Sequence, residues 1–98
     1  MQIIQGGTTF EWDDNKDAIN RQKHKLSFKT AIKVFLDYNR IERYDEEHSY
    51  DEDRFITIGM VGEAPVIIQA VYTERKDSIR IISARKATTE ERREYYDC

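Results

Sequence analysis

VIIQAVYTERKDSIRIISA, residues 66–84, reads as two strands joined by a short turn. Val66 to Tyr72 is almost continuously apolar and rich in β-branched residues, the pattern of a strand buried at the centre of a sheet. Glu74 to Ser78 supplies a polar hairpin loop, and Ile79 to Ala84 returns as the next strand. On the C-terminal side, Thr88 followed three positions later by Glu91 forms a capping box that opens a helix through about Tyr96. On the N-terminal side, Arg54 to Met60 alternates around Ile56, Ile58 and Met60, as a half-buried strand does. Gly59 to Pro65 provides turn residues between it and the central strand.

Further upstream the period changes from two to about 3.6. Ser27 caps a helix whose Phe28, Ala31, Ile32, Phe35 and Leu36 fall on one face. Before it, Asp13 or Asp14 caps a more polar helix running to about His24. Thr9 to Trp12 reads as a short strand, Arg40 to Tyr44 as another, and Asp45 to Asp53 as an acidic loop. Residues 1–8 read as a flexible leader with a Gly-Gly turn. The order predicts a single α+β domain over residues 1–98: an antiparallel β-sheet, two N-terminal helices and a C-terminal helix, with the helices on one sheet face.

Composition narrows the function. At 98 residues the chain holds one modest core. Its only cysteine is Cys98, a terminal thiol, which excludes an intrachain disulfide and fits a reducing, cytoplasmic setting. No apolar run approaches the roughly 20 residues of a membrane span, and MQIIQGG lacks the form of a signal peptide. There is no Gly-rich phosphate loop and no Cys/His spacing for zinc, so neither cofactor nor metal is expected. The seven acidic residues from Glu42 to Asp53 lack calcium-loop spacing and read as a solvated charge run, with His48 a surface histidine within it. Net charge is −3, yet Lys16 to Lys33 and Arg75 to Arg93 are basic segments that a fold can bring together.

The second basic segment suits phosphodiester chemistry. Cleaving RNA without a metal needs a base for the 2′-OH, an acid for the leaving oxygen and cations for the charge growing on phosphorus. Arg75, Arg80 and Arg85 supply cations whose planar forks match phosphate, and Tyr72 lies on the preceding strand. The plainer alternative pairs each arginine with a carboxylate such as Glu74, Glu90 or Glu91. Arg80 and Arg85 are five positions apart, so a regular strand would send them to opposite faces; only a bulge, or an Arg85 beyond the strand end, lets them share a site.

Read together, several words resemble the BrnT family of toxins from bacterial toxin–antitoxin pairs. These are Phe10-Glu11-Trp12-Asp13, Asn15-Lys16, Asn20, Lys23-His24, Ser27-Phe28, Asp53-Arg54-Phe55, Ile58-Gly59 and Val71-Tyr72-Thr73-Glu74-Arg75. The most specific is Arg80-Ile81-Ile82-Ser83-Ala84-Arg85-Lys86-Ala87 followed by Glu91-Arg92 and Tyr95. The resemblance implies a RelE-like fold and a metal-independent endoribonuclease that arrests growth. It also implies a BrnA-like antitoxin whose ribbon-helix-helix domain binds operator DNA, so that the toxin meets DNA only indirectly. On this reading Arg75, Arg80, Arg85, Tyr72 and His24 are the expected catalytic residues, and Lys16, Lys23, Trp12 and Arg54 the expected RNA contacts. Trp12 reads equally well as a core aromatic, and His24 as a complement to its helix dipole.

The chain departs from the family's usual pattern at two places. It has Glu63-Ala64-Pro65 where relatives carry Gly-Arg, and Met60 where an arginine often follows the glycine. These departures keep open a second reading, a catalytically weak or inactive module acting as corepressor partner of a DNA-binding antitoxin. A third is an interaction domain outside any toxin pair. For the antitoxin contact, the acidic stretch 42–53 and a helix face with Tyr95 and Tyr96 are the two expected surfaces.

Overall fold

The computed structural model describes residues 1–62 and 66–97. Glu63-Ala64-Pro65, part of the expected turn, and Cys98 lie outside the described residues. Six strands form one sheet in the order β1-β2-β6-β5-β4-β3. They are β1 (Gln2–Gln5), β2 (Thr8–Glu11), β3 (Ile41–Tyr44), β4 (Arg54–Val61), β5 (Val66–Glu74) and β6 (Ile79–Lys86). The helices are α1 (Asp14–His24), α2 (Phe28–Ala31) and α3 (Thr89–Asp97), with a 3-10 segment over Ile32–Leu36.

Residues 1–8, expected as a leader, fold into the β1–β2 hairpin. Gly6 and Gly7 both take positive φ, 57° and 82°, between paired Gln5 and Thr8. A two-residue turn of this hand follows the twist of the strands, and glycine adopts it without strain.

The sheet is mixed rather than antiparallel. β3 to β6 form the expected meander, but β2 joins β6 in parallel at Phe10–Ile79 and Glu11–Arg80. This pairing links positions 69 apart, which no local turn pattern reveals. Where β2 ends, α1 takes over the edge of β6. The Asn20 side chain donates to the Ala84 carbonyl at 2.8 Å and accepts from the Ala84 N–H at 3.2 Å, completing the strand's outer ladder. Asp13 caps α1, accepting from the N–H groups of Asn15 and Lys16.

The expected second helix is one α turn followed by 3-10 winding. In a 3-10 helix residues i and i+3 eclipse. Leu36 therefore lies over exposed Lys33 and is 59% exposed, while Phe35 lies over buried Ile32. Val34 turns inward onto Gly59 of β4, where an added Cβ would meet Val34 Cγ2 at 2.8 Å.

The helices also divide between the two faces of the sheet. Phe28, Ala31, Ile32 and Val34 join Phe10, Ile68, Ala70 and Tyr72 in the main core. Tyr95 of α3 packs instead with Ile58 and Ile67 in a second cluster. Ile67 and Ile68 are consecutive on β5, so the two clusters lie on opposite faces. The single-face arrangement expected from sequence is thus corrected. α3 follows the end of β6, and its one buried side chain, Tyr95, reaches the far face, where the Tyr95 hydroxyl donates to Asp37 Oδ2 at 2.6 Å.

Candidate nucleic-acid interface

The register of β5 with its neighbours decides which side chains share the α3 face. Thr73 stands opposite both Arg54 of β4 and Arg80 of β6, and Gln69 stands opposite Arg85. Thr73 and Gln69 are four apart on one strand, so Arg54, Arg80 and Arg85 all project from the same face. The device is a bulge. Tyr72 pairs with Ile81 but Val71 pairs with Ser83, leaving Ile82 as the extra residue. Ile81 and Ala84, three apart, are consequently both buried in the main core.

α3 covers part of this face, packing Tyr95 with Ile58 and Ile67 and bringing Glu91 to Gln69 and Arg85. The remainder is open and forms a groove of about 400 Å³ lined by Arg54, Ile56, Gln69, Val71, Ile82 and Ser83, with Asp45, Glu47 and His48 as a wall. Ile82 and Ser83 also floor a neighbouring hollow against α1, lined by Lys16, Ile19, Asn20, Lys23 and His24. Lys16, Lys23, His24 and Arg54 therefore border one continuous depression, with Arg80 and Arg85 on the same sheet face. Arg75 lies in the hairpin loop after β5.

Each hairpin arginine has a carboxylate partner. Arg80 Nη1 meets Glu11 Oε2 at 2.8 Å, and Arg75 Nη2 meets Glu52 Oε2 at 3.3 Å. Arg85 forms a two-pronged pair with Glu91 at 2.8 and 3.1 Å. Of the carboxylates expected for this role, only Glu91 serves; Glu11 and Glu52 come from distant parts of the chain. The guanidinium of Arg54 has no ion-pair partner among the described residues. The Ser78 hydroxyl, at 2.5 Å, and Arg80 together hold the Glu11 carboxyl below its ordinary value against the opposing effect of burial.

Two expected site residues stand elsewhere. Trp12 is 5% exposed and sits edge-on against Phe28 in the main core. Tyr72 is 6% exposed on the helix side of the sheet, stacked on Phe55, with its hydroxyl donating to Glu42 Oε1 at 3.0 Å. Burial first, then the Glu42 charge, push its phenol far above the ordinary 10.0. Neither ring reaches the groove.

Asp45 and His48 were not among the residues expected at the site. The acidic loop is not uniformly solvated. Asp45 is 8% exposed, and its carboxylate receives His48 Nδ1 at 3.0 and 3.1 Å. The Asp45-x-x-His48 spacing within one turn is the only local signal for this pair. Among the described residues no group of three or more His, Cys, Asp or Glu side chains is placed to hold a metal ion. No described helix is long and apolar enough to cross a membrane.

This sheet face carries Arg54, Arg80 and Arg85, the lysines of α1 border the neighbouring hollow, and Asp45 and Glu47 stand in the groove wall. A search of curated proteins finds no match to the chain. The model of one protein family, described as the ribonuclease toxin BrnT of type II toxin–antitoxin systems, matches residues 12–91, which span both sides of the groove. The chain therefore belongs to the BrnT family of ribonuclease toxins.

Proposed function

We propose that the groove binds single-stranded RNA and cleaves it without a metal ion, and that a BrnA-like ribbon-helix-helix antitoxin neutralises the activity in the cytoplasm. The observation that carries this reading is the bulge at Ile82, which places Arg80 and Arg85 on one face with Arg54. Lys16 and Lys23 track the RNA backbone along α1. Arg54 and Arg80 contact the scissile phosphate and offset charge growing on its oxygens. His24 borders the same depression and contacts RNA beside the lysines. Arg85, tied to Glu91, holds the groove's end beside α3, and Arg75 contacts RNA from the hairpin loop.

The test is cleavage of an oligoribonucleotide by the purified chain. Products ending in 2′,3′-cyclic phosphate, at a rate unchanged by chelator, are expected. Loss of cleavage on adding chelator would overturn metal independence. Arg80→Ala is expected to lower the rate by about 10²–10³.

The ion pairs favour a second reading, in which the chain is a weak enzyme and acts chiefly as corepressor of the antitoxin. Arg75, Arg80 and Arg85 are already neutralised by Glu52, Glu11 and Glu91. Growth arrest on expression of the lone chain, relieved by Arg80→Ala at equal abundance, would refute it.

A further inference from the structure

We propose that His48 is the general base of the cleavage reaction and that Asp45 positions it, an assignment that rests on the ribonuclease reading above. The geometry begins with a loop closed onto the start of β4. The Asp45 N–H donates to the Arg54 carbonyl at 2.8 Å, and the Arg54 N–H donates to Ser49 Oγ at 2.9 Å. Ser49 Oγ in turn donates to the Asp45 carbonyl at 2.6 Å. These three bonds fix His48 relative to Arg54, whose guanidinium has no ion-pair partner among the described residues.

Both oxygens of the buried Asp45 carboxylate face Nδ1 of His48. A carboxylate there selects the tautomer with hydrogen on Nδ1, which leaves the lone pair on Nε2. The imidazole side chain is 58% exposed and forms part of the groove wall, so a substrate can reach it. Across the groove floor, His24 makes no ion pair with a carboxylate among the described residues. His48 thus combines an oriented ring, access to the groove and an anion behind it that stabilises the imidazolium formed on taking a proton.

In the step proposed, Nε2 of neutral His48 takes the proton of the ribose 2′-OH. The freed O2′ forms a bond to phosphorus, the bond from phosphorus to O5′ breaks, and O5′ takes a proton from water. The products are a 2′,3′-cyclic phosphate and a 5′-hydroxyl. The imidazolium then returns its proton to solvent. Arg54 and Arg80 face the non-bridging oxygens throughout.

The experiment measures cleavage of one oligoribonucleotide by the parent, His48→Gln, His48→Ala and Asp45→Asn. His48→Gln keeps a hydrogen-bonding group for Asp45 but removes the base. It is expected to cut kcat by about 10²–10⁴ with KM little changed. Added imidazole is expected to restore cleavage by His48→Ala in proportion to its concentration, which a merely structural histidine would not allow. Asp45→Asn is expected to lower kcat rather than raise KM. Cleavage by folded His48→Gln at the parental rate, or a loss in His48→Ala that imidazole leaves untouched, would overturn the assignment while the ribonuclease reading stands. A parent that cleaves no RNA would remove both.

Discussion

Asn20 stands in for a missing stretch of strand. Its amide group satisfies the N–H and carbonyl of Ala84 and also donates to the Leu26 carbonyl at 2.8 Å. Removing it leaves buried backbone groups without partners, so Asn20→Ala is expected to cost about 2–4 kcal/mol, read as a lower urea midpoint at unchanged m. Gly59 is constrained from the other side of the sheet. Its missing Cβ is what lets Val34 and Arg40 approach, with Arg40 Cβ only 3.0 Å from the built position. Gly59→Ala is expected to destabilise by about 1–3 kcal/mol through overpacking, a drop in Tm of several degrees. In the sequence Asn20 was legible as a helix residue and a family word, and Gly59 as a family word where the Arg54–Met60 strand meets the following turn. Neither packing role was legible, because each depends on a partner from a different element.

α3 is held to the sheet by a few polar contacts around one tyrosine, and acid should loosen it first. Glu91 closes the capping box with Thr88 and pairs with Arg85, while Asp37 accepts from Tyr95 and from the Met60 N–H at 2.8 Å. Glu94 pairs with Arg43 of β3. Burial opposes ionisation of both Asp37 and Glu91, but these hydrogen bonds outweigh it and keep both carboxyls below their ordinary values of 3.8 and 4.5. For a depressed carboxyl the stabilising contribution is complete above the ordinary value and is lost as pH falls through the lower folded one. Acid titration is therefore expected to lower stability below about pH 4.5. The fall should be shallower in Glu91→Gln, as followed by chemical denaturation at each pH. Burial, and then the Asp37 bond, push the Tyr95 phenol up to about 12, so it stays a donor through neutral pH. Tyr95→Phe removes that bond to a charged acceptor and is expected to cost about 1.5–3 kcal/mol. The placement of Tyr95 also corrects the view of it as part of an exposed docking face, since only Tyr96 of the pair is exposed. The capping box itself was legible in sequence, because it lies within one turn of chain; the face on which α3 lands was not.

At the scale of the molecule, a net charge of −3 conceals a depression bordered by Lys16, Lys23, His24 and Arg54. RNA affinity is therefore expected to fall steeply with salt. Charge reversal at Lys16 or Lys23 is expected to weaken binding and to reduce the slope of log K against log salt by about 0.7 for each phosphate that is no longer neutralised. Equal slopes in the parent and both variants, measured by fluorescence anisotropy with a labelled oligoribonucleotide, would move the RNA path away from α1.

What the sequence determined alone was whatever a few neighbouring residues can specify. Alternation placed β4, an almost continuous apolar run placed β5, and the polar turn after it placed the return as β6. Asp13 or Asp14, Ser27 and Thr88 marked helix starts, because a cap acts within one turn. The family words between Phe10 and Tyr95 carried the toxin resemblance, and the family model matches residues 12–91. Tertiary structure decided everything that depends on pairing across the chain. Parallel docking of β2 on β6 brought Glu11 to Arg80. The Ile82 bulge turned two arginines of opposite expected facing onto one surface. The main core absorbed Trp12 and Tyr72, since burying large rings on the helix side stabilises the fold more than exposing them. The turn of the acidic loop buried Asp45 and set His48 against the groove. Residue spacing cannot report these outcomes, because sheet register and face are properties of pairs of strands and local patterns describe only one strand at a time.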